Sequence, residues 1–314
     1  MAQQTRIEVV LAYFEPFIRR FPTIKALAQA PPDSVTAAWS GLGYYRRARM
    51  LRDGALAVRE RFGGNLPAGV VELMTIPGIG RYTAGAIASI AFGLRAPIVD
   101  GNIARIVARL FAIEEPLGSP ALMREAWTRA EELVAASQSP RHFNQGLMEI
   151  GALICTPRNP SCGVCPLRRH CAAFAAGRVD ALPLPKRKAA TRALTIPLFV
   201  VTDRVGRVLM RREHGPLMRD MFHLPHGDTT LLTGAPLRVR RAKPVGSFRH
   251  TVTNRRITFE VFVVSRSSMV VERKPATNNE RPTTNQRWLH PRDLADIPHP
   301  SYVRKALHLA GIDK

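Results

Sequence analysis

The chain has no apolar run approaching the ~20 residues that a membrane span requires. Its longest, Ala84 to Phe92, reads as a small-residue helix. The N-terminus, MAQQTRIEVV, lacks the basic-then-apolar layout of a signal peptide, so a cytoplasmic protein with reduced thiols is expected. Acidic residues are scarce. Against 24 Asp and Glu stand 46 Lys and Arg, a formal charge of +22. Self-repulsion on that scale costs stability unless a positive field is useful, which points to a polyanionic partner. Cysteines are few and none is dispersed: all four lie in the span Cys155-x6-Cys162-x2-Cys165-x5-Cys171. Thiols gathered so closely in a reducing compartment mark a metal centre and not disulfides. Zinc usually takes paired C-x2-C arms, and only one such pair is present, so the spacing suits a [4Fe-4S] cluster better than zinc. Arg158, Arg168, Arg169 and His170 flank these thiols, where a cluster would hold them for phosphate contact.

A length of 314 residues suggests about two domains. Up to about residue 175 the apolar spacing is helical. Ile7, Val10, Leu11, Phe14, Phe17, Ile18 and Phe21 form one stripe, which Pro16 is expected to kink or restart. Ile103, Ile106, Val107, Leu110 and Phe111 form a second stripe, and Phe143, Leu147, Ile150 and Ile154 a third. Pro67 is expected at the first position of another helix. Leu182 to Lys188 is a proline-punctuated basic linker, beyond which the period shifts toward two. Strands are expected at Thr195 to Thr202, Arg207 to Arg211 and Arg256 to Val264, the last placing Ile257, Phe259, Val261 and Val263 on one face. A polar loop from Arg273 to Gln286 and a final helix from Ser301 to Ala310 complete the reading. The expected fold is therefore α+β and multidomain: an all-α domain over 1–175, a linker over 176–193 and an α/β domain over 194–314.

Chemistry concentrates between Ile76 and Asn102. The turn Pro77-Gly78-Ile79-Gly80 separates two helical patterns, and the helix after it aims free N–H groups outward, as an anion site requires. Asp100 precedes Gly101-Asn102 and a new helix, where a carboxylate would serve as N-cap. A helical hairpin with a good cap explains both features equally well at this level. Gly41-Leu42-Gly43-Tyr44-Tyr45, followed by Arg46, Arg47 and Arg49, fits a loop presenting rings to bases and cations to phosphates, or a tyrosine pair packed under a helix start.

The segments GLGYYRRAR, IPGIGRYTAGAI, PIVDGNIARI and FNQGLMEIGALIC, with the cysteine spacing, resemble the MutY family of adenine DNA glycosylases. That family belongs to the helix-hairpin-helix glycosylase superfamily that carries an iron-sulfur cluster. The resemblance implies a helix-hairpin-helix domain with a [4Fe-4S] loop over 155–171, ligated by Cys155, Cys162, Cys165 and Cys171, and a C-terminal Nudix-like domain. It implies a monomer that acts at the nucleoid on double-stranded DNA with adenine opposite 8-oxoguanine or guanine. By the same resemblance Gln4 and Tyr44 probe or wedge the duplex, with Gln3 and Thr5 close by. Gly78, Ile79 and Gly80 hold phosphate, Arg158 contacts DNA, Tyr82 lies at the excision pocket, and Gln145 lies near the flipped base. Asp100 is the implied catalytic carboxylate with Asn102 beside it, and Thr253 and Asn254 read the oxidised base.

Four features bear on the activity. Lyase relatives carry lysine where this chain has Tyr82, and tyrosine forms no Schiff base, so a monofunctional enzyme is expected. The segment after Leu224-Pro225-His226-Gly227 contains no R-E-x-x-E-E cluster to hold magnesium, which argues against pyrophosphatase activity, and Val252-Thr253-Asn254 replaces the family's frequent Phe-Ser-His. The family's general-acid glutamate stands just before a motif that here begins at Met1, so the chain as given lacks it and is expected to be N-terminally truncated and strongly impaired. A catalytically inactive lesion-binding protein is the alternative.

Overall fold

A computed structural model describes residues 1, 5, 7–185, 191–213, 219–227, 237–238, 243–252, 254–265, 270–271 and 286–312. Gln3, Gln4, Thr253 and the expected loop up to residue 285 lie outside the described residues. The chain forms two compact units, one of Met1–Leu56 with Ala189–Lys314 and one of Ala57–Lys188. No helix among the described residues is long and apolar enough to cross a membrane.

The first unit opens with α1 (Ile7–Arg20), α2 (Ile24–Gln29), α3 (Pro32–Ala38) and the start of α4 (Arg46–Arg61). Pro16 does not restart α1, which runs through it. Val10 and Phe17, buried on either side, hold the helix together against the local cost of proline. Thr23 caps α2 by accepting from the Ala26 N–H at 3.0 Å. Phe17, Phe21, Val35, Trp39, Leu42 and Tyr45 make one core cluster, to which Met221 of the same unit contributes. Only part of the expected stripe on α1 enters this core, since Ile7, Leu11, Phe14 and Ile18 are exposed.

The unit of Ala57–Lys188 is helical. It contains α5 (Val70–Met74), α6 (Arg81–Ala86), α7 (Gly101–Leu110), α8 (Pro120–Ala136), α9 (Pro140–Glu149) and α10 (Ala172–Ala175). Two helices extend into π turns, α6 through Ile87–Ala91 and α9 through Ile150–Ile154. Pro67 is not the first residue of α5, which starts at Val70 with Gly69 as N-cap. The Glu72 carboxylate lies over Gly69, in the space a Cβ would need. Ile98, Val99, Ile103, Ile106 and Val107 pack on Ala126, Ala130 and Leu147 to form the core.

The sheet belongs to the first unit. Its strands are β1 (Arg192–Thr202), β2 (Val208–Glu213), β3 (Met221–His223), β5 (Gly246–Val252), β6 (Arg255–Ser265) and β8 (Gln286–Leu289), while β4 (Leu237–Arg238) and β7 (Val270–Val271) pair separately. The order is β3-β2-β1-β6-β5, with β8 also on β2. β1 and β6 run parallel in register from Arg192↔Arg255 to Thr202↔Ser265, and β5 returns antiparallel to β6 as a hairpin. α11 (Ser301–Leu309) covers one face, burying Tyr302, Val303, Ala306 and Leu307 against Leu198, Phe222, Phe259 and Val261. On the other face Phe199, Val201, Leu209 and Val264 cluster. Ile257, Phe259 and Val261 share the buried face as expected, but Val263 is 42% exposed because burial passes to Val264 on the opposite face.

Candidate active site and cysteine centre

The turn between α5 and α6 closes with a hydrogen bond from the Ile79 N–H to the Ile76 carbonyl at 3.1 Å. Gly78 takes φ of 85°, a conformation that disfavours any side chain. Gly80 is the N-cap of α6 in ordinary extended geometry, and no side chain caps the helix, so its first N–H groups face outward beside the exposed Gly78 and Arg81. Arg81 stacks on Trp127, its guanidinium carbon 3.8 Å from the ring centroid.

The chain then returns in an extended stretch whose course is set by close contacts. A Cβ on Gly85 would stand 2.1 Å from the Pro97 carbonyl oxygen, so only glycine lets α6 lie this near. Asn144, fully buried on α9, donates to the Ala96 carbonyl at 2.9 Å and to Ser89 Oγ at 2.8 Å. This stretch delivers Asp100 to the start of α7. One carboxylate oxygen, Oδ1, accepts from the backbone N–H groups of Asn102 at 2.9 Å and Ile103 at 2.8 Å. The other, Oδ2, accepts only a long 3.4 Å contact from Asn102 Nδ2. Burial, and then the Asp100 charge, raise the Tyr82 phenol above its ordinary pKa, so Tyr82 remains a protonated hydroxyl near a carboxylate.

Behind Asp100 two arginines on α7 reach into the cysteine segment. Residues Ile103 to Arg109 are all buried, so Arg105 and Arg109 have no route to solvent. Arg105 donates to Asn102 Oδ1 at 3.0 Å, to the Gly151 carbonyl at 2.8 Å and to the Cys155 carbonyl at 2.8 Å. An unbroken hydrogen-bond chain thus joins Cys155, Arg105, Asn102 and Asp100. Arg109 donates to the carbonyls of Leu182 at 2.8 Å, Val179 at 3.0 Å and Thr156 at 2.8 Å, and to Cys155 Sγ at 3.3 Å. Neither arginine nor Asn144 stands out in the sequence. The available signal was that α7 has apolar residues around most of its circumference, which forces its arginines inward.

All four cysteines line one cavity of about 30 Å³, together with Arg109, Ile154, Arg168 and Phe174. Burial, and then the other three cysteines, raise the Cys162 thiol. The donor set fits an iron-sulfur group: thiols from four positions, no carboxylate in the lining, and arginines to balance a negative cluster.

The remaining expected site residues separate by unit. Gln145 is exposed on α9 and Arg158 is exposed in the cysteine segment. In the other unit Tyr44 is 55% exposed at φ of 47°, with the Arg47 guanidinium 5.4 Å from its ring, and Thr5 accepts from Arg47 at 2.9 Å. Asn254 lies at the turn of the β5–β6 hairpin, its carbonyl accepting from the Arg192 N–H at 2.9 Å.

Residues 1–132 match the HhH-GPD superfamily of base excision DNA repair proteins, and residues 155–171 match the iron-sulfur binding domain of endonuclease III. An adenine DNA glycosylase of Buchnera aphidicola (subsp. Schizaphis graminum) is 31% identical over 315 residues, spanning 98% of this chain and 88% of the relative. The chain belongs to the adenine DNA glycosylase family. It is accordingly a DNA glycosylase, and its cysteine segment is an iron-sulfur site. The human adenine DNA glycosylase is 44% identical over 174 residues, which are 55% of this chain and 32% of the human protein. Among solved structures a thermostable thymine-DNA glycosylase aligns at 27% identity and a TM-score of 0.48, covering 55% of this chain and 80% of that one.

Proposed function

We propose that the chain acts as a monomer at the nucleoid, flipping adenine paired with 8-oxoguanine or guanine out of duplex DNA and hydrolysing its bond to deoxyribose without cleaving the strand. The observation that carries this reading is Asp100, anchored through Oδ1 by two backbone N–H groups while Oδ2 keeps only one long contact. A carboxylate held this way does not swing. It suits stabilisation of a sugar cation and orientation of water, and it is poorly suited to donating a proton. Tyr82 beside it is a phenol, which cannot form the Schiff base of a lyase. Asn102 fixes the carboxylate from the other side, and Gln145 meets the flipped base.

Base protonation is the weak step. Among the described residues the acids on the flanking helices, Glu8 and Glu149, are exposed. Without a positioned general acid, adenine release falls by about 10²–10⁴ relative to an enzyme that has one. The turn at Gly78, Ile79 and Gly80 and the basic side chain of Arg158 grip phosphates. Gln3, Gln4, Thr5 and Tyr44 enter the stack, and Thr253 with Asn254 reads the oxidised base from the Nudix-like sheet domain. The cysteine centre is of the [4Fe-4S] type. In support, the four thiols line one cavity whose lining holds no carboxylate. When bound, the cluster cross-links the 155–171 segment and takes no part in hydrolysis.

The test is single-turnover incubation with A:8-oxoguanine and A:T duplexes, read with and without alkali. Preferential binding to the A:8-oxoguanine duplex is expected, with slow formation of sites that break only in alkali. Strand scission without alkali, or adenine release at a normal family rate, would overturn the mechanism. Binding with no release at any time supports the second reading, an inactive lesion-binding protein, which the exposure of Glu8 and Glu149 favours.

A further inference from the structure

Two of the arginines that follow the Gly41–Tyr45 loop differ in where they point. Arg46 is exposed at the start of α4, whereas Arg47 is half-buried and spends its donors on the protein. Its guanidinium joins two segments of one compact unit, the residues ahead of α1 and the loop itself. Toward the first, Nη1 donates to the Met1 carbonyl at 2.8 Å and Nη2 to the Thr5 hydroxyl at 2.9 Å. Toward the second, Nη2 donates to the Gly43 carbonyl at 3.3 Å and makes a longer 3.4 Å contact with that of Leu42. The guanidinium carbon also lies over two rings, 5.4 Å from the centroid of Trp39 and 5.4 Å from that of Tyr44.

The loop needs such a partner. Gly41, Gly43 and Tyr44 take φ of 108°, 71° and 47°, a left-handed backbone that is costly for tyrosine. It persists only where its surroundings over-determine it. Trp39 Nε1 donates to the Gly43 carbonyl at 3.1 Å, and Tyr13 of α1 fills the space that a Cβ on Gly41 would need. Trp39, Leu42 and Tyr45 share a core cluster with Phe17 of α1, so loop and helix stay packed together without help from Arg47. That packing does not set the spacing between Thr5 and Tyr44. Arg47 does, because it is bonded to Thr5 and lies over Tyr44 at once. A lysine in its place has no planar fork with which to bridge a hydroxyl and a carbonyl while lying over a ring.

We infer that Arg47 is a positioning residue and not a phosphate contact: it fixes the spacing of Thr5 and Tyr44 so that the two meet the duplex together at the lesion. This rests on the reading of Thr5 and Tyr44 as residues that enter the stack. Ordering them before DNA arrives removes the cost of ordering them on each encounter.

The test uses the full chain with Arg47→Lys, Arg47→Met and Thr5→Val. Binding to A:8-oxoguanine and A:T duplexes is measured across salt concentrations, with 2-aminopurine beside the lesion reporting intercalation. Both Arg47 variants should lower the preference for the lesion about tenfold, as expected for lost hydrogen bonds to a charged group, and weaken the 2-aminopurine signal. Arg47→Met should keep the parent's salt dependence on A:T, whereas loss of a phosphate contact lowers the log–log slope by about 1. Thr5→Val and Arg47→Lys should combine non-additively. Arg47→Gln serves if Arg47→Met does not fold. Full lesion preference in Arg47→Lys, a slope lowered by about 1 in Arg47→Met, or strict additivity would overturn the inference. A parent chain with no preference for the lesion overturns the functional reading and this inference with it, whereas variants that keep a preference the parent shows overturn this inference alone.

Discussion

Replacing Asp100 by serine, alanine or asparagine separates its service as a helix cap from its service to the reaction. In the parent, Oδ1 accepts from Asn102 at 2.9 Å and Ile103 at 2.8 Å. Serine caps helices about as well as aspartate, so Asp100→Ser should keep α7 intact to within about 0.5 kcal/mol. Alanine leaves those N–H groups without their acceptor and should cost about 1 kcal/mol. Asparagine is less neutral than its shape suggests. The Asn102 amide is oriented by Arg105, which donates to its Oδ1 at 3.0 Å, so its Nδ2 points at position 100. An asparagine there, capping through its oxygen, sets one NH₂ against another and should cost about 1 kcal/mol. Adenine release should respond differently. All three variants lose the charge beside the developing cation, a loss of about 10²–10³ in rate or about 3–4 kcal/mol in the barrier. The order in stability is thus serine, then alanine and asparagine, while all three fall together in rate. Thermal unfolding gives the first ranking. Single-turnover release on an A:8-oxoguanine duplex, followed over hours, gives the second. An Asp100→Ser variant that releases adenine within a few-fold of the parent would refute the catalytic assignment, and one as unstable as alanine would refute the cap.

Arg109→Met should fill the same volume yet strip donors from the carbonyls of Thr156, Val179 and Leu182, costing at least about 3 kcal/mol. Its purified protein should carry less iron than the parent, whereas loss of the exposed Arg124 on α8 should leave iron content unchanged; full iron in Arg109→Met would contradict the bracing described here. Acid should weaken the sheet unit. Burial, and then Lys305, depress the His250 pKa; burial depresses that of His299, helped by Arg304 and opposed by its bond to the Ile297 carbonyl. Both are neutral when folded and gain protons more readily when unfolded, so their stabilisation is complete above an unfolded pKa of about 6.5 and is lost as pH falls below it. Unfolding temperatures should drop on acidification from neutrality and drop less in a His250→Asn, His299→Asn double variant. An identical pH profile for the two proteins would remove these histidines from the account.

Much of the site could be read in advance because its determinants are local. Asp100 and its two donors lie within four consecutive residues, the Gly78 turn is a matter of backbone conformation, and the cysteine spacing is itself the ligand pattern. The long strands β1 and β6 showed their period because it repeats along many residues. The short strands β3 and β8 showed none, and β5 lay hidden in a polar-looking motif whose alternation becomes meaningful only beside β6. Pro16 does not restart α1, where packing overrides the local proline rule, and Pro67 lies before α5, whose N-cap is Gly69.

The sequence alone determined the chemistry on offer: a carboxylate at a helix start, a phenol on the helix before it, and four clustered thiols under a strongly positive charge. Tertiary structure alone decided what stands behind them. Arg105 meets Cys155 across 50 residues, Arg109 meets Leu182 across 73, and Arg212 meets Asp33 across 179. A buried guanidinium is tolerable only where carbonyls or a carboxylate converge on it, and no sequence spacing records that convergence.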